Sequence, residues 1–296
     1  MTSARYRSFM AVAHHGSLSA AARALDLSQP TVSTQIHALE RQSRVELFHR
    51  RGYRMQLSPA GEQLLPIAQK IVALEAEAAF FLKDTGQLNR GELKIGAVGP
   101  FHVIEMVAAY RARYPGMQMS IRMGNSRQVL ADLEQYTTDI GVLAGRHDSE
   151  GLQAMLYARH PIVLFAHVDH PLAQRGSVPL QALQNIEMVQ REIGSTTRAA
   201  LDGVLRDAGV QTRTSLEIGS REALREAVAR GLGVGSVSEA EFIADPRFRP
   251  IRIEGDPAFT CTYLYVAKER RQSVLLRSFI DTVLGDPGGT QASATN

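Results

Sequence analysis

The stretch from Leu18 to Leu39, LSAAARALDLSQPTVSTQIHAL, constrains the fold more than any other part of this 296-residue chain. Its first half is rich in strong helix formers. The apolar members recur at helical spacing and form one face: Leu18, Ala21, Ala22 and Leu25. Asp26 and Ser28 interrupt the pattern and suit a turn. Ser28 can then cap a second helix that carries Pro30 in its first turn, so the stretch predicts two short helices joined by a tight turn.

The second of these helices carries an unusual number of short, uncharged, hydrogen-bonding side chains. Val32, Ile36 and Leu39 point to one side, towards a core. The pattern alone leaves an ordinary amphipathic helix pair open, but it also suits a helix that enters the major groove of DNA and contacts base edges. The residues predicted to contact DNA from this helix are Ser28, Gln29, Pro30, Thr31, Ser33 and Thr34.

Charge is concentrated at the same end of the chain. The whole chain has a net charge of +3, yet residues 1–58 hold eight arginines against three acidic residues. Such a basic end on a near-neutral body is typical of phosphate binding. The segment VELFHRRGYRMQL then predicts a two-stranded wing, with Arg50, Arg51 and Arg54 on the DNA backbone. A basic surface hairpin without a partner is the alternative.

The run FMAVAHHGSLSAAARALDLSQPTVSTQIHALE, followed by LFHRRGYRMQLSPAGEQLL, closely resembles the N-terminus of LysR-type transcriptional regulators. The chain departs from that family at Ser43-Arg44, where the family usually has Leu-Gly. Either Arg44 adopts the backbone conformation that glycine takes easily, or this turn differs. The matching residues are Phe9, Gly16, Ser17, Ala21, Ala22, Leu25, Ser28, Gln29, Ser33, Ile36, Leu39, Glu40, Leu47, Phe48, Arg50, Leu57, Ala60 and Gly61.

The resemblance implies an N-terminal all-α winged helix-turn-helix with a long linker helix, and a C-terminal α/β bilobed effector domain that is periplasmic-binding-protein-like (type 2). The expected boundaries are 1–58 for the DNA-binding domain, 59–91 for the linker helix and hinge, and 92–296 for the effector-binding domain. Within the last, lobe I is expected at 92–161 and 267–286, lobe II at 162–266, and a disordered tail at 287–296.

The linker helix has an apolar stripe that a single chain has no obvious way to cover. The stripe continues to about Lys83 and predicts a dimer seam through 59–83, with Leu64, Ile71, Leu74 and Ala78 shielded by the partner. The resemblance extends this to a tetramer and to two-fold related promoter DNA. It also suggests contact with RNA polymerase.

The segment from Leu93 onward alternates strands and helices, which predicts a parallel α/β sheet. Ligands bind such folds where strand ends meet helix starts. Loops at these points carry hydroxyls and arginines, so a small anion is expected between the lobes: a carboxylate, sulfonate or phosphonate. The loops at 194–198 and 219–221 are expected to face each other across the cleft. The predicted effector-binding residues are Gly99, Pro100, Phe101, His102, Asn125, Ser126, Ser195, Thr196, Thr197, Arg198, Ser220 and Arg221.

Two alternatives stay open for these loops. Ser126, Ser195 and Ser220 can be helix caps and nothing more. Arg198 and Arg221 can point to solvent or pair with Asp202 or Glu222 instead of a ligand.

The remaining patterns favour a regulator over an enzyme. No P-loop, HExxH or GxSxG is present, and GLGVGS leads from a helix into a strand, the wrong order for a dinucleotide loop. Cys261, the single cysteine, is expected as a small core residue; neither a metal nor a cofactor is predicted. No apolar run is long enough to cross a membrane and no signal peptide is evident, so a cytoplasmic protein is expected. The rival class is a bilobed small-molecule-binding protein or enzyme with the same cleft.

Overall fold

The structure, a computed structural model, describes residues 2–51, 54–84 and 91–285. The tip of the predicted wing, most of the predicted hinge and the predicted disordered tail lie outside these ranges.

The N-terminal head is three helices and a two-stranded wing. The elements are α1 (Thr2–His15), α2 (Leu18–Ala24), α3 (Gln29–Ser43), β1 (Phe48–Arg51) and β2 (Arg54–Leu57). Ser17 caps α2 and Ser28 caps α3, each by accepting a hydrogen bond from a backbone N–H in the first turn. Phe9 of α1 and Phe48 of the wing are both buried, with ring centroids 5.3 Å apart. The helix-turn-helix predicted from Leu18–Leu39 is therefore confirmed, and the wing packs against it.

Arg44 ends α3 in the left-handed conformation, with φ 54° and ψ 36°. Its backbone N–H donates to the carbonyl of Glu40, which closes the helix as glycine usually does. Of the two alternatives, the structure thus has the arginine in the conformation that favours glycine.

The linker helix α4 (Pro59–Asp84) leaves the head and presents apolar side chains to solvent. Ala68 is fully buried, but the exposed fractions are 56% for Ile67, 37% for Ile71 and 42% for Leu74. The predicted seam needs one correction: Leu64 packs against the core of its own head, because the first turns of α4 cover that core.

Two strands cross between the lobes of the effector domain: β6 (Leu152–His167) and β12 (Phe259–Ala267). Lobe I adds β3 (Gly91–Ala97), α5 (Pro100–Arg113), β4 (Met117–Met123), α6 (Ser126–Glu134), β5 (Ile140–Ala144) and α9 (Val274–Leu284). Its strands lie in the order β4-β3-β5-β12-β6.

Lobe II is built on the second half of β6. It contains β7 (Ser177–Val178), β8 (Glu187–Arg191), α7 (Thr196–Asp207), β9 (Arg213–Ile218), α8 (Arg221–Ala229), β10 (Gly235–Ser238) and β11 (Phe248–Ile253). β10 and β11 pair antiparallel with β6, while β8 pairs parallel with β9. Each lobe has its own apolar core.

Two sequence-based expectations about this domain need correction. The predicted parallel sheet is confirmed for β3, which pairs parallel with β4 and β5, but the whole sheet is mixed, because β12 returns from lobe II and runs antiparallel to β5 and β6. For the same reason the second half of β12 belongs to lobe I, although the expected boundary put it in lobe II. Leu264 and Val266 pack in the core of lobe I and Ala258 in that of lobe II, so the chain crosses between the lobes along the first half of β12, between 258 and 264.

Cys261 is half-buried on β12, opposite Arg159 of β6, and is less enclosed than the core residue that was expected.

Candidate functional sites in the head and the effector cleft

The N-terminus of α3 is the exposed end of the helix-turn-helix. Gln29 and Pro30 are exposed there, and Thr34 is exposed one turn further along. Ser19 donates a 2.8 Å hydrogen bond to Oε1 of Gln29, which uses one of the two lone pairs of that oxygen and orients the amide. A held amide of this kind suits bidentate contact with an adenine edge.

Ser28 and Thr31 have a structural task at the same helix end. The Ser28 hydroxyl accepts from the backbone N–H of Thr31 at 3.2 Å, and the two hydroxyl oxygens are 2.8 Å apart. Both were predicted to face DNA. The capping geometry accounts for them without a ligand, which leaves Gln29 and Thr34 as the polar groups most available to bases.

The wing and the recognition helix form one groove, and Arg50 of β1 lines it together with Ser33 of α3. Arg50, Arg51 and Arg54 are all exposed, and Arg51 pairs with Arg54 at the end of the ladder. The like charges of these arginines are unfavourable side by side, and a phosphate backbone would neutralise them.

Two histidines on this groove were not predicted from the sequence: His37 of α3 and His49 of β1. His37 Nδ1 lies 3.2 Å from Glu40, whose other oxygen accepts the backbone N–H of Leu47 at 2.9 Å. Glu40 therefore ties the recognition helix to the start of the wing.

The effector cleft opens between the two lobes, where helix N-termini from both sides meet. Its wide part encloses about 630 Å³. From lobe I it is lined by Val98, Gly124, Asn125, Ser126, Arg127, Ala144 and His147, and from lobe II by Arg191, Glu192, Gly194, Ser195, Thr196 and Arg221. Three of the four predicted effector-binding loops thus contribute to this part of the cleft, as their positions at strand-to-helix junctions imply.

A narrower inner end of the cleft lies against the first turn of α5. Its lining residues include Gly99, Phe101, His102, Thr196, Thr197, Arg221, Ser238, Glu241, Thr260 and Thr262. Pro100 starts α5 and is exposed outside this lining. Thr196 and Arg221 line both parts, so a ligand that spans the cleft would contact both residues.

The helix starts in the cleft are not equivalent. Asn125, Ser195 and Ser220 cap their own helices, each by accepting a backbone N–H. Gly99 begins α5 without a side-chain cap from any described residue. The free N–H groups of that first turn make the N-terminus of α5 a favourable place for an anion.

The side chain of His102 narrows the cleft at the N-terminus of α5 and contributes little positive charge there. Burial, and secondly the neighbouring His160, lower the pKa of His102. The two rings are stacked with centroids 5.1 Å apart, and Tyr157 packs edge-on against His102 at 5.5 Å. The imidazole in this position limits the size of the inner end, and its lowered pKa disfavours a positive charge there.

Arg198 and Ser220 do not line the cleft, which corrects two of the predicted site residues. Arg198 is held by carboxylates on lobe II: its Nη1 lies 2.6 Å from Glu217 and its Nε 3.4 Å from Asp202. Pairing with Asp202 was one of the alternatives. The Ser220 hydroxyl accepts from Ala223 N and donates to Glu222, so it acts as a cap.

The expectation that the 194–198 and 219–221 loops face each other is also wrong. They follow β8 and β9, which are parallel neighbours in one lobe, so both loops end at the same edge. The loops that lie across the cleft from them begin at Gly99 and Gly124 of lobe I.

Several cleft residues were missed because their positions depend on tertiary structure. Arg127 was seen only as part of a loop, and Arg191 lies at the end of β8, where the strand pattern gave no functional signal. Arg191 forms a two-pronged pair with Glu192 at 2.7 and 2.8 Å, and these hydrogen bonds lower the pKa of Glu192. Glu241 reaches the cleft from a short turn after β10, and it pairs with Arg221 at 2.9 Å.

Among the described ranges, no helix combines the length and apolar character needed to cross a membrane. In the same ranges, no cluster of three or more His, Cys, Asp or Glu side chains is placed to hold a metal ion.

Comparison with known families decides the identity. The model described as LysR substrate binding domain matches residues 86–286, and the model for the bacterial regulatory helix-turn-helix protein, lysR family, matches residues 4–62. The chain belongs to the LysR family of transcriptional regulators. This LysR-family protein therefore binds DNA through its winged helix-turn-helix and carries an effector-binding domain, and the family is one of regulators and not of enzymes.

Named relatives agree with this assignment. The chain is 28% identical over 282 residues to the HTH-type transcriptional activator CmpR of Synechocystis, covering 94% of this chain and 93% of that protein. It is 29% identical over 286 residues to the RuBisCO operon transcriptional regulator of Allochromatium vinosum, covering 95% and 94%.

Solved structures show the same full-length fold. A full-length OxyR variant from Pseudomonas aeruginosa has a TM-score of 0.74 at 21% identity and covers 95% of both chains. CbnR complexed with its target DNA has a TM-score of 0.61 at 22% identity, covering 96% of this chain and 98% of that one. The regulatory domain of Synechocystis CcmR in complex with 2-PG has a TM-score of 0.57 at 25% identity and covers 66% of this chain and 95% of that domain.

Proposed function

We propose that this regulator responds to a small anionic metabolite that binds between lobe I and lobe II. The observation that carries the proposal is the convergence of the N-termini of α5, α6 and α7 on one cleft that also holds three arginines: Arg127, Arg191 and Arg221. Partial positive charge at helix starts and guanidinium forks both favour carboxylate, sulfonate, phosphate or phosphonate groups. Glu192 and Glu241 reduce the positive charge, so the cleft is suited to a compact anion.

A relative supports the more highly charged members of this class. The CcmR regulatory domain was solved with 2-PG, and its fold matches the effector domain of this chain. We extend that ligand, 2-PG, to this protein as the first compound to test.

The head, the seam and the cleft together give the wider proposal. Gln29 and Thr34 read bases, supported by Ser28, Pro30, Thr31 and Ser33, while Arg50, Arg51 and Arg54 bind phosphates. The linker helices pair two chains through 59–83, and two such dimers form a tetramer on two-fold related promoter DNA. An effector that changes the angle between the heads would alter the bend of the DNA and contact with RNA polymerase in the cytoplasm.

Calorimetry on the full-length protein tests the effector class. The probes are 2-PG, inorganic phosphate, acetate and methanesulfonate, with glycolamide as the neutral compound. We expect an anion to bind best, and Thr196→Val to weaken it, because Thr196 lines both parts of the cleft.

Ser220→Ala is the matched control, since it also removes a hydroxyl at a helix start but lies outside the cleft lining. Tightest binding of the neutral compound would contradict the anionic effector. Equal anion affinity for Thr196→Val and the parent would remove that hydroxyl from the site.

A further inference from the structure

Glu241 places a carboxylate of the protein inside the effector cleft. It ends the short turn Glu239–Glu241 after β10 of lobe II. Its Oε2 lies 2.9 Å from Nε of Arg221, and its side chain is only 15% exposed. The most central arginine of the cleft therefore already has an acidic partner.

This ion pair also reaches the opposite lobe. A Cβ placed on Gly99 of lobe I would lie 3.4 Å from Oε1 of Glu241 and 3.7 Å from Nη2 of Arg221. The pair is thus in near contact with the start of α5, where Gly99 has no side chain to separate them. Glu241 and Arg221 therefore lie side by side against the helix start of lobe I.

The surroundings of that carboxylate are those that an anionic ligand would need. The first turn of α5 has no side-chain cap from the described residues, whereas Asn125, Ser195 and Ser220 cap the other helices of the cleft. The free N–H groups at the start of α5 and the guanidinium of Arg221 both stabilise a negative charge. Burial lowers the pKa of His102, which disfavours a competing positive charge at this place.

We propose that Glu241 is a tethered substitute for the acid group of the effector, occupying the anion position beside Arg221 until the effector displaces it. The inference rests on the proposed function, because it assumes an anionic effector in this cleft. Two consequences follow from the geometry.

The first consequence is selectivity. A tethered group competes at a high effective concentration, so an incoming anion must bind Arg221 and the α5 N-terminus better than one carboxylate does. A phosphate or phosphonate offers more oxygens to these donors than a simple monocarboxylate. Glu241 therefore discriminates against small monocarboxylates.

The second consequence is coupling. Displacement of Glu241 removes a close approach between lobe II and lobe I at Gly99. The cleft with Glu241 against Gly99 and the cleft with the effector in its place then differ in their contacts between lobes, which is the differential interaction that a ligand-driven shift requires.

The test compares three variants of the full-length protein by calorimetry with inorganic phosphate and with 2-PG. Glu241→Gln keeps the size of the side chain and removes its charge. Glu241→Asp keeps the charge and withdraws it from Gly99 by one methylene. Glu192→Gln is the matched control, since it removes an equal charge from the wide part of the same cleft.

We expect Glu241→Gln to bind the anions about tenfold more tightly than the parent, the scale of one charge-assisted contact. Glu241→Asp should also bind more tightly although no charge is lost, and Glu192→Gln should have a smaller effect. Equal gains for Glu241→Gln and Glu192→Gln would reduce the effect to overall charge and overturn the proposal. Weaker binding to Glu241→Gln would make Glu241 a direct ligand-binding group and overturn it as well.

The outcomes separate this proposal from the proposed function. If the parent binds anions and neither Glu241 variant binds them more tightly, the anionic effector is still supported and the substitute role of Glu241 is ruled out. Absence of anion binding in the parent and in all three variants removes both.

Discussion

The DNA-binding head and the effector cleft both use helix N-termini, but they assemble their residues over very different chain distances. In the head, Ser28, Gln29 and Thr34 lie within two turns of one helix, and the wing follows directly. In the cleft, Gly99 and Glu241 are brought together from different lobes across more than a hundred residues. Local pattern is therefore enough to locate the first site, while the second depends on strand order and on where the chain crosses between lobes.

The linker helix between these two regions gives the largest expected effect. Ile71→Asp places a carboxylate on the apolar stripe of α4, where Ile71 is 37% exposed in the single chain. If a partner helix covers that stripe, the new carboxylate is buried without a partner. Burial of even a neutral polar group without a hydrogen bond costs about 2–7 kcal/mol, and burial of a charge costs more. Light scattering should then show loss of the wild-type oligomer.

Ile193→Asp is the control for this change. It is the same substitution at a surface position, since Ile193 is 84% exposed. An unchanged oligomer in Ile71→Asp would remove the seam from this part of α4.

Within the head, base contacts and phosphate contacts should separate. Gln29→Ala should cost roughly 1–3 kcal/mol on the specific site and little on random DNA, since the held amide reads a base edge. Arg51→Ala should weaken both and reduce the salt slope by about one unit. Gel-shift titrations at several salt concentrations measure the two effects. Equal losses on specific and random DNA for Gln29→Ala would contradict its base-reading role.

The end of the recognition helix gives a smaller effect on stability. Arg44→Gly should raise the free energy of unfolding by up to about 1 kcal/mol, because a side chain at φ 54° costs energy that glycine does not. Arg41→Gly is the matched control inside α3 and should lower it by about 1 kcal/mol. Thermal unfolding distinguishes them. A lower melting temperature for Arg44→Gly would show that contacts of the arginine outweigh its backbone conformation.

The smallest expected effect lies where the linker helix contacts the effector domain. Lys70 of α4 lies 2.5 Å from Glu269, which also accepts a hydrogen bond from Tyr136. These hydrogen bonds, that of Lys70 first, lower the pKa of Glu269 to about 2 from its ordinary 4.5. Since the folded pKa is the lower one, the contact stabilises the fold fully above pH 4.5 and is lost as the pH falls towards 2.

Between pH 4.5 and 2, the free energy of unfolding measured with urea should fall less steeply with decreasing pH for Lys70→Ala than for the parent. Lys94→Ala is the control, because the Lys94 side chain forms an exposed pair with Glu92 at 3.8 Å. A parent-like pH slope in Lys70→Ala would mean that this contact is absent in solution.

The chain by itself determined the helix-turn-helix, its caps and the positions of most helices and strands. Ser28 as a cap, Pro30 in the first turn and the apolar face from Val32 to Leu39 all act between residues a few positions apart, so their physics is visible in the sequence. The strand-to-helix junctions that form the cleft were equally visible, because each is a local change of pattern.

Only the tertiary structure decided which of those junctions face each other. Strand β12 returns antiparallel into lobe I, and the parallel pair of β8 and β9 puts the loops at Ser195 and Ser220 on the same edge. Whether an arginine meets a ligand or a carboxylate depends on neighbours distant in the chain: Glu217 withdraws Arg198 from the cleft, and Glu241 holds Arg221 inside it. Charges act through space, so their partners are set by the packing of the lobes and not by spacing along the sequence.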